Sequence, residues 1–237
     1  MDVQAGNCGQ GRVIAIDGPS GAGKSTIARG IGKRLGFLHV DSGSLYRIMT
    51  LAALRAGIDC SDADAVRDFC LSNVDVEFAV RDGAVVALVG GREPGDAIRT
   101  AEINANVSPV SKVPEVRAKI NEWLRSMRRL GDIVVEGRDI GSVVFPDAPA
   151  RFYLDASPEA RARRRHLEEV AKGIATQDEA AIRASLLNRD RIDSSRKTAP
   201  LKVADGAVVI DSTALGIDEV LDIVERHSRK AFGIPRQ

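Results

Sequence analysis

The chain has 237 residues, 44% of them apolar and 28% charged, with a formal net charge of +1. That is enough apolar material for one large domain, and too even a charge balance for a general nucleic-acid or membrane binder. Three scattered cysteines (Cys8, Cys60 and Cys70) and three histidines without ligand spacing argue against a disulfide framework or a structural zinc, and suit reduced thiols in the cytoplasm.

The first ten residues have no apolar signal core and read as a disordered leader. No apolar run approaches the length of a membrane span. Val13 to Asp17 reads as a strand buried on both faces, as a parallel sheet requires. Gly18, Pro19, Ser20, Gly21, Ala22, Gly23, Lys24, Ser25 and Thr26 follow, matching G-x-x-x-x-G-K-[ST]. Glycines let the backbone curl until several N–H groups face one anion, and the next helix adds its positive end. Lys24 would reach the β- and γ-phosphates, and the Ser25 hydroxyl would ligate Mg²⁺. A chance glycine-rich turn is the bland alternative, but the strand before and helix after (Lys24 to Leu35, ended by Gly36) supply the context that the motif needs.

Phe37 to Val40 is a second strand, with Asp41, Ser42 and Arg47 beyond its carboxyl end, where ligands of open α/β sheets sit. Asp41–Ser42 also fits a helix cap, which is compatible with binding. Helices are expected over Leu45 to Ala56 and Ser61 to Leu71. Val74 to Val80 and Ala84 to Val89 flank the turn signal Arg81-Asp82-Gly83 and read as a hairpin. An antiparallel hairpin does not belong in a doubly wound parallel core, so residues about 60–100 read as an insertion. Thr100 to Ser108 is helical, ended by Ser108-Pro109, and Pro114 opens another helix to about Leu130. Trp123 reads as core or inter-subdomain packing, and Arg125, Arg128 and Arg129 as a solvated basic face.

Asp132 to Glu136 is the next buried strand, with Arg138 and Asp139 at its end. An apolar strand ending in an acid resembles a Walker-B element. Arg151 to Leu154 is a fourth parallel strand. Ser157 to Ala171 is a helix in which Arg161, Arg164 and Arg165 share a face, which suits either an anion or solvent. Thr176 to Glu179 is a capping-box start for a helix carrying Arg189, Asp193 and, if the helix persists that far, Arg196 on one face. From Ser157 to Lys202 cations outnumber acids eleven to seven, as suits a lid over polyphosphate. Ala207 to Ile210 is the last strand, and Ile217 to His227 a terminal helix. No internal repeat is present.

Taken in order, GPSGAGKST, DSGSLYR (41–47), IRT (98–100), Ser108 with PEVR (114–117), EGRDIGSVVFPDA (136–148) and RDRIDSSRKTAPL (189–201) resemble the bacterial cytidylate kinase family. The likeness runs from Val13 over nearly the whole chain. It implies a P-loop nucleoside monophosphate kinase fold: a parallel α/β core (about 11–41, 131–156 and 205–237), a nucleoside-monophosphate part containing a small antiparallel sheet (about 42–130) and a helical lid (about 157–204). It implies phosphoryl transfer from ATP to CMP or dCMP with Mg²⁺.

By the same resemblance Arg47, Arg138 and Arg196 hold the acceptor phosphate, while Arg161 and Arg165 cover the transferring group. Ser108, Arg117 and Asp139 read cytosine, and Arg189 and Asp193, with Ser42 nearby, contact the sugar. For Mg²⁺, Ser25 ranks above Asp41 and Glu136, which would act through water. The acceptor is already an oxyanion and needs no general base. A kinase for another small acceptor on the same core and a nucleotide-responsive binding module are the rivals. Nothing in the sequence calls for an obligate oligomer, so a monomer is expected.

Overall fold

The computed structural model describes residues 11–171, 173 and 177–235. The expected leader with Cys8, the lid cation Lys172 and Thr176 of the expected capping box lie outside the described residues. Seven strands form one sheet, β1 (Val13–Asp17), β2 (Leu38–Asp41), β3 (Glu77–Arg81), β4 (Ala84–Leu88), β5 (Ile133–Gly137), β6 (Ala150–Asp155) and β7 (Val208–Asp211). Their order is β3-β4-β2-β5-β1-β6-β7.

β1 shows why its sequence is apolar throughout. Val13 and Ala15 face one core, shared with α2 (Ser42–Arg55), α3 (Ala63–Asn73) and α5 (Pro114–Ser126). Ile14 and Ile16 face a second core, shared with α1 (Lys24–Leu35) and α8 (Ile217–Phe232). A strand covered on both faces cannot alternate with polar residues. β5 divides in the same way, with Ile133 and Val135 in the first core and Val134 in the second.

The parallel core is as expected, and so is the antiparallel β3–β4 hairpin around Asp82 and Gly83. The hairpin is not detached from the sheet, however. It continues the β2 edge through one parallel bridge, His39 to Ala84, and His39 N donates to Gly83 O at 2.9 Å. Docking it there covers an edge of unpaired backbone groups that would otherwise be open. Its outer side remains thinly covered, since Val80 is exposed although Val74 and Val76 are buried. Trp123 of α5 fills the join, packing edge-on against Phe78 with ring centroids 6.0 Å apart.

α4 (Ala101–Val110) runs through Pro109 rather than stopping before it. Pro109 falls in the last turn, so its missing N–H frees a single carbonyl, that of Ala105, and Ala105 is exposed, so water can replace the donor. Arg125 and Arg128 also differ from a merely solvated face. Arg125 donates to the carbonyls of Val143 and Val144, and Arg128 to that of Gly11. α6 (Pro158–Ala171) and α7 (Glu179–Ser195) carry a small core of their own, Ala162, Ile182 and Leu186. α7 is capped by Asp178, whose side chain accepts from Ala181 N. Among the described residues no helix is long and apolar enough to cross a membrane.

Candidate active site

The carboxyl ends of β1, β2, β5 and β6 converge on the loop between β1 and α1. Gly18 adopts φ +148°, and a Cβ there would lie 2.0 Å from Leu154 O, so the chain can leave β1 only as glycine. Gly21, at φ +78°, lies beneath α6 and α7, where a Cβ would meet Arg161 and Leu186 at 3.2–3.5 Å. Thus α6 and α7 rest directly on the loop. Arg161 is buried, and donates to Ser20 O at 2.9 Å and to Asp190 Oδ2 at 2.5 Å. The other Asp190 oxygen accepts from Ser20 N at 3.1 Å. A loop amide of the kind that binds phosphate is therefore turned to a carboxylate of the chain itself.

Lys24 is 6% exposed and donates to Pro19 O at 2.6 Å. Burial, reinforced by Arg138, lowers its pKa to about 7. Glu136 is buried nearby on the α1 face of β5, with Oε1 3.1 Å from His39 Nε2. Burial alone would raise Glu136, but His39, Lys24 and the Ser25 hydroxyl outweigh it and hold the carboxyl below its usual range. Ser25 and Glu136 thus offer hard oxygen donors side by side, which fits Mg²⁺, an ion that keeps most of its water. Among the described residues no group of three His, Cys, Asp or Glu could enclose a metal. Asp41 is placed differently, capping α2 through Ser44 N and lying 3.5 Å from Arg99.

A second cationic cluster faces this loop. Arg138 Nε donates to Asp193 Oδ2 at 3.0 Å, and Arg196 Nη1 lies 3.6 Å from Asp193 Oδ1. Ala199, held at φ +51°, turns its carbonyl to Arg196 Nη2 at 3.0 Å. Arg47 reaches Ile98 O and Asn104 Oδ1. Burial lowers Arg189 to about 10, with Arg138 adding to it; burial and then Arg99, with smaller contributions from Arg165 and Arg138, lower Arg47. Burial also lowers Arg196. Arg189 Nε and Arg196 Nε are buried without a partner. Cations that depress one another and leave donors unmet describe a site short of negative charge. Arg165 lies to one side, half exposed and paired with Glu168 and Glu169. Arg164 binds Ser212.

The third group is a buried ion pair. Arg117 and Asp139 are 2% and 5% exposed, and Arg117 Nη2 donates to Asp139 Oδ2 at 2.5 Å. Arg117 Nη1 donates to Ser111 O at 3.1 Å, and its guanidinium lies 5.3 Å from the Tyr46 ring centroid. Its Nε is buried and unpartnered. Ser108 sits a turn before Ser111 in the chain, and its carbonyl accepts from Ser111 Oγ. Ser42 Oγ is spent on Glu136 O at 2.6 Å, tying α2 to β5.

Sequence reading did not single out Asp17, Ser111, His39, Asp190 or Ala199. Asp17 carried a legible signal, an acid ending an otherwise apolar strand at the ligand end of the sheet. Ser111 acts through its backbone, which no side-chain pattern announces.

Comparison with known proteins gives one consistent result. The family model described as cytidylate kinase matches residues 14–230. A cytidylate kinase from Geobacter sp. (strain M21) is 47% identical over 217 residues, 91% of this chain and 92% of that protein. One from Pseudomonas aeruginosa (strain UCBPP-PA14) is 42% identical over 220 residues, 92% of this chain and 95% of that protein. Among solved structures, a gluconokinase from Sinorhizobium meliloti 1021 is similar at a TM-score of 0.46 and 15% identity, covering 95% of each chain, too loose a likeness to bear weight.

Proposed function

The chain belongs to the cytidylate kinase family, and from that premise we propose that it phosphorylates CMP and dCMP with ATP and Mg²⁺ by direct in-line transfer. The observation that carries this reading is the second cationic cluster, Arg47, Arg138, Arg189 and Arg196, set beside Lys24, with the Nε of Arg189 and of Arg196 buried and unmet. A loop for one polyphosphate needs no second cluster, whereas a reaction between two phosphates needs both held together against their repulsion.

In this scheme the loop from Gly18 to Thr26, through its backbone N–H groups (Pro19 has none), and the Lys24 ammonium take the donor phosphates. Ser25 would hold Mg²⁺, with Glu136 acting through water, and the ion would supply charge neutralisation for the donor phosphates. Arg47, Arg138 and Arg196 bind the acceptor phosphate, whose oxyanion attacks without a base. Arg161 and Arg165 close over the transferring group. Arg189 and Asp193 take the sugar hydroxyls, with Ser42 nearby. Arg117 donates to the acceptor atoms of cytosine, and Asp139, with Ser108, accepts from its 4-amino group. Uracil reverses that last contact and would leave a buried carboxylate facing a carbonyl, a mismatch of a few kcal/mol.

The work divides among the core, the nucleoside-monophosphate part (about 42–130) and the lid (about 157–204), in a cytoplasmic monomer that needs neither nucleic acid nor membrane. A coupled assay of ADP release across CMP, dCMP, UMP and AMP tests the reading. CMP and dCMP should lead; equal use of UMP, or a lead by AMP, removes the base assignment.

A further inference from the structure

Asp17 is the last residue of β1, 2% exposed, on the same face of the sheet as Val13 and Ala15. Its Oδ1 accepts from Ile140 N and its Oδ2 from Gly141 N, both at 2.7 Å. An acid so deeply buried costs stability: burial pushes its pKa up to about 6 even though both amides pull it down. Both oxygens are bonded to backbone amides, so what the side chain holds is a stretch of main chain.

That stretch is the turn that carries the acceptor groups. Ile140 and Gly141 open a five-residue π-helical turn (Ile140–Val144), and Asp139 immediately precedes it at φ −148° and ψ 24°. Asp139 in turn holds Arg117. On the other side Asp17 is joined to Gly18, which is sealed against Leu154 O. One side chain therefore bridges the entrance of the phosphate loop and the backbone next to Asp139. β1 and β5 lie side by side, with Asp17 opposite Gly137, so the bridge is short.

We propose that Asp17 is a positioning residue for base selection, holding the turn from Arg138 to Gly141 in register with the phosphate loop so that Asp139 meets Arg117 and the acceptor base correctly. This rests on the assignment of Arg117 and Asp139 to the base. Asparagine cannot substitute, because its NH₂ would face one of the two N–H donors.

The test is steady-state kinetics of Asp17→Asn with CMP, UMP and ATP varied in turn. The KM for CMP should rise about tenfold and the CMP-to-UMP ratio of kcat/KM should fall by a similar factor, while the KM for ATP stays within about twofold. Gly141→Ala presses on the same contact from the other side, since its Cβ would sit 3.4 Å from Asp17 Oδ2 and 3.2 Å from Arg151 Cδ. It should shift the same ratio by less, and it carries the readout if Asp17→Asn does not fold. An unchanged ratio in both variants, or a parallel rise of the CMP and ATP KM values, overturns the inference. Asp139→Asn separates the two layers. If it alters the ratio while the Asp17 and Gly141 variants do not, positioning by Asp17 fails. If it too leaves the ratio unchanged, the base assignment falls and the inference with it.

Discussion

The two halves of the site are built on opposite electrostatic plans. In the half we assign to the base, Arg117 and Asp139 are buried against each other, so their charges already offset one another. In the half we assign to the phosphates, Lys24, Arg47, Arg138, Arg189 and Arg196 crowd together with acids such as Glu136 and Asp193 among them, and burial, with repulsion between the cations, lowers the pKa of Lys24, Arg47, Arg189 and Arg196. On that assignment the first plan would give selectivity, because a wrong partner leaves a buried charge unpaired. The second gives affinity for whatever carries phosphate and little discrimination of the base. Asp190 is the point where the second plan is partly answered from within, its carboxylate taking Arg161 and Ser20 N together.

The largest effect is expected on the phosphate side. Lys24→Ala removes the amine that becomes charged against the donor phosphates and should lower kcat by about 10²- to 10³-fold. An unaffected rate would end the phosphate-loop assignment. Next comes the base side. Arg117→Ala leaves Asp139 buried without its partner, which should cost roughly 3–5 kcal/mol of stability by urea unfolding. In the same variant kcat/KM for CMP should fall more than ATP affinity does. Equal losses for both substrates would show that the pair supports the fold rather than selects the base.

A pH titration separates the two plans by a smaller margin. Lys24 has its pKa lowered from 10.5 to about 7 in the free protein, so it is largely neutral at pH 8. Phosphate oxygens stabilise its charged form, so ADP binding must draw in a proton. Calorimetry of ADP binding in buffers of different ionisation enthalpy should show uptake approaching one proton at pH 8. Affinity should weaken by at most about tenfold per pH unit above 7. The sign for stability follows from the same shift. Between about 7 and 10.5 the unfolded chain holds this proton and the folded one does not, so the contribution of Lys24 to stability grows as pH rises. Release of protons on ADP binding would contradict the buried, depressed ammonium.

How much was legible in the sequence follows the same division. The phosphate loop, both strand-end clusters and the parallel core are written in local patterns, because glycine spacing, strand hydrophobicity and helix caps are short-range. The hairpin's attachment to β2 depends on one bridge, His39 to Ala84, about forty-five residues apart, and no local pattern records it. Arg125 and Arg128 looked like solvated charge because their partners are distant backbone carbonyls, which every residue possesses. Pro109 looked like a helix stop because the rule concerns helix interiors, and it sits in the final turn. Asp17 is the instructive case: its spacing was visible, but its role lies in two amides more than 120 residues away.

The smallest effect bears on the lid. Arg161 and Arg165 were assigned together, yet the fold treats them differently. Arg161 is buried and bonded to the phosphate loop, whereas Arg165 is 41% exposed along its side chain and paired with Glu168 and Glu169 one turn away. Pairs of that kind contribute about 0.3–0.5 kcal/mol, so Arg165→Ala should leave urea unfolding almost unmoved. If Arg165 swings from its glutamates to the transferring group, kcat should still fall about tenfold, a loss with no counterpart in stability. If kcat falls less than twofold, the Glu168 and Glu169 pairing is the whole of its role, and of these two arginines only Arg161 carries charge to the reaction.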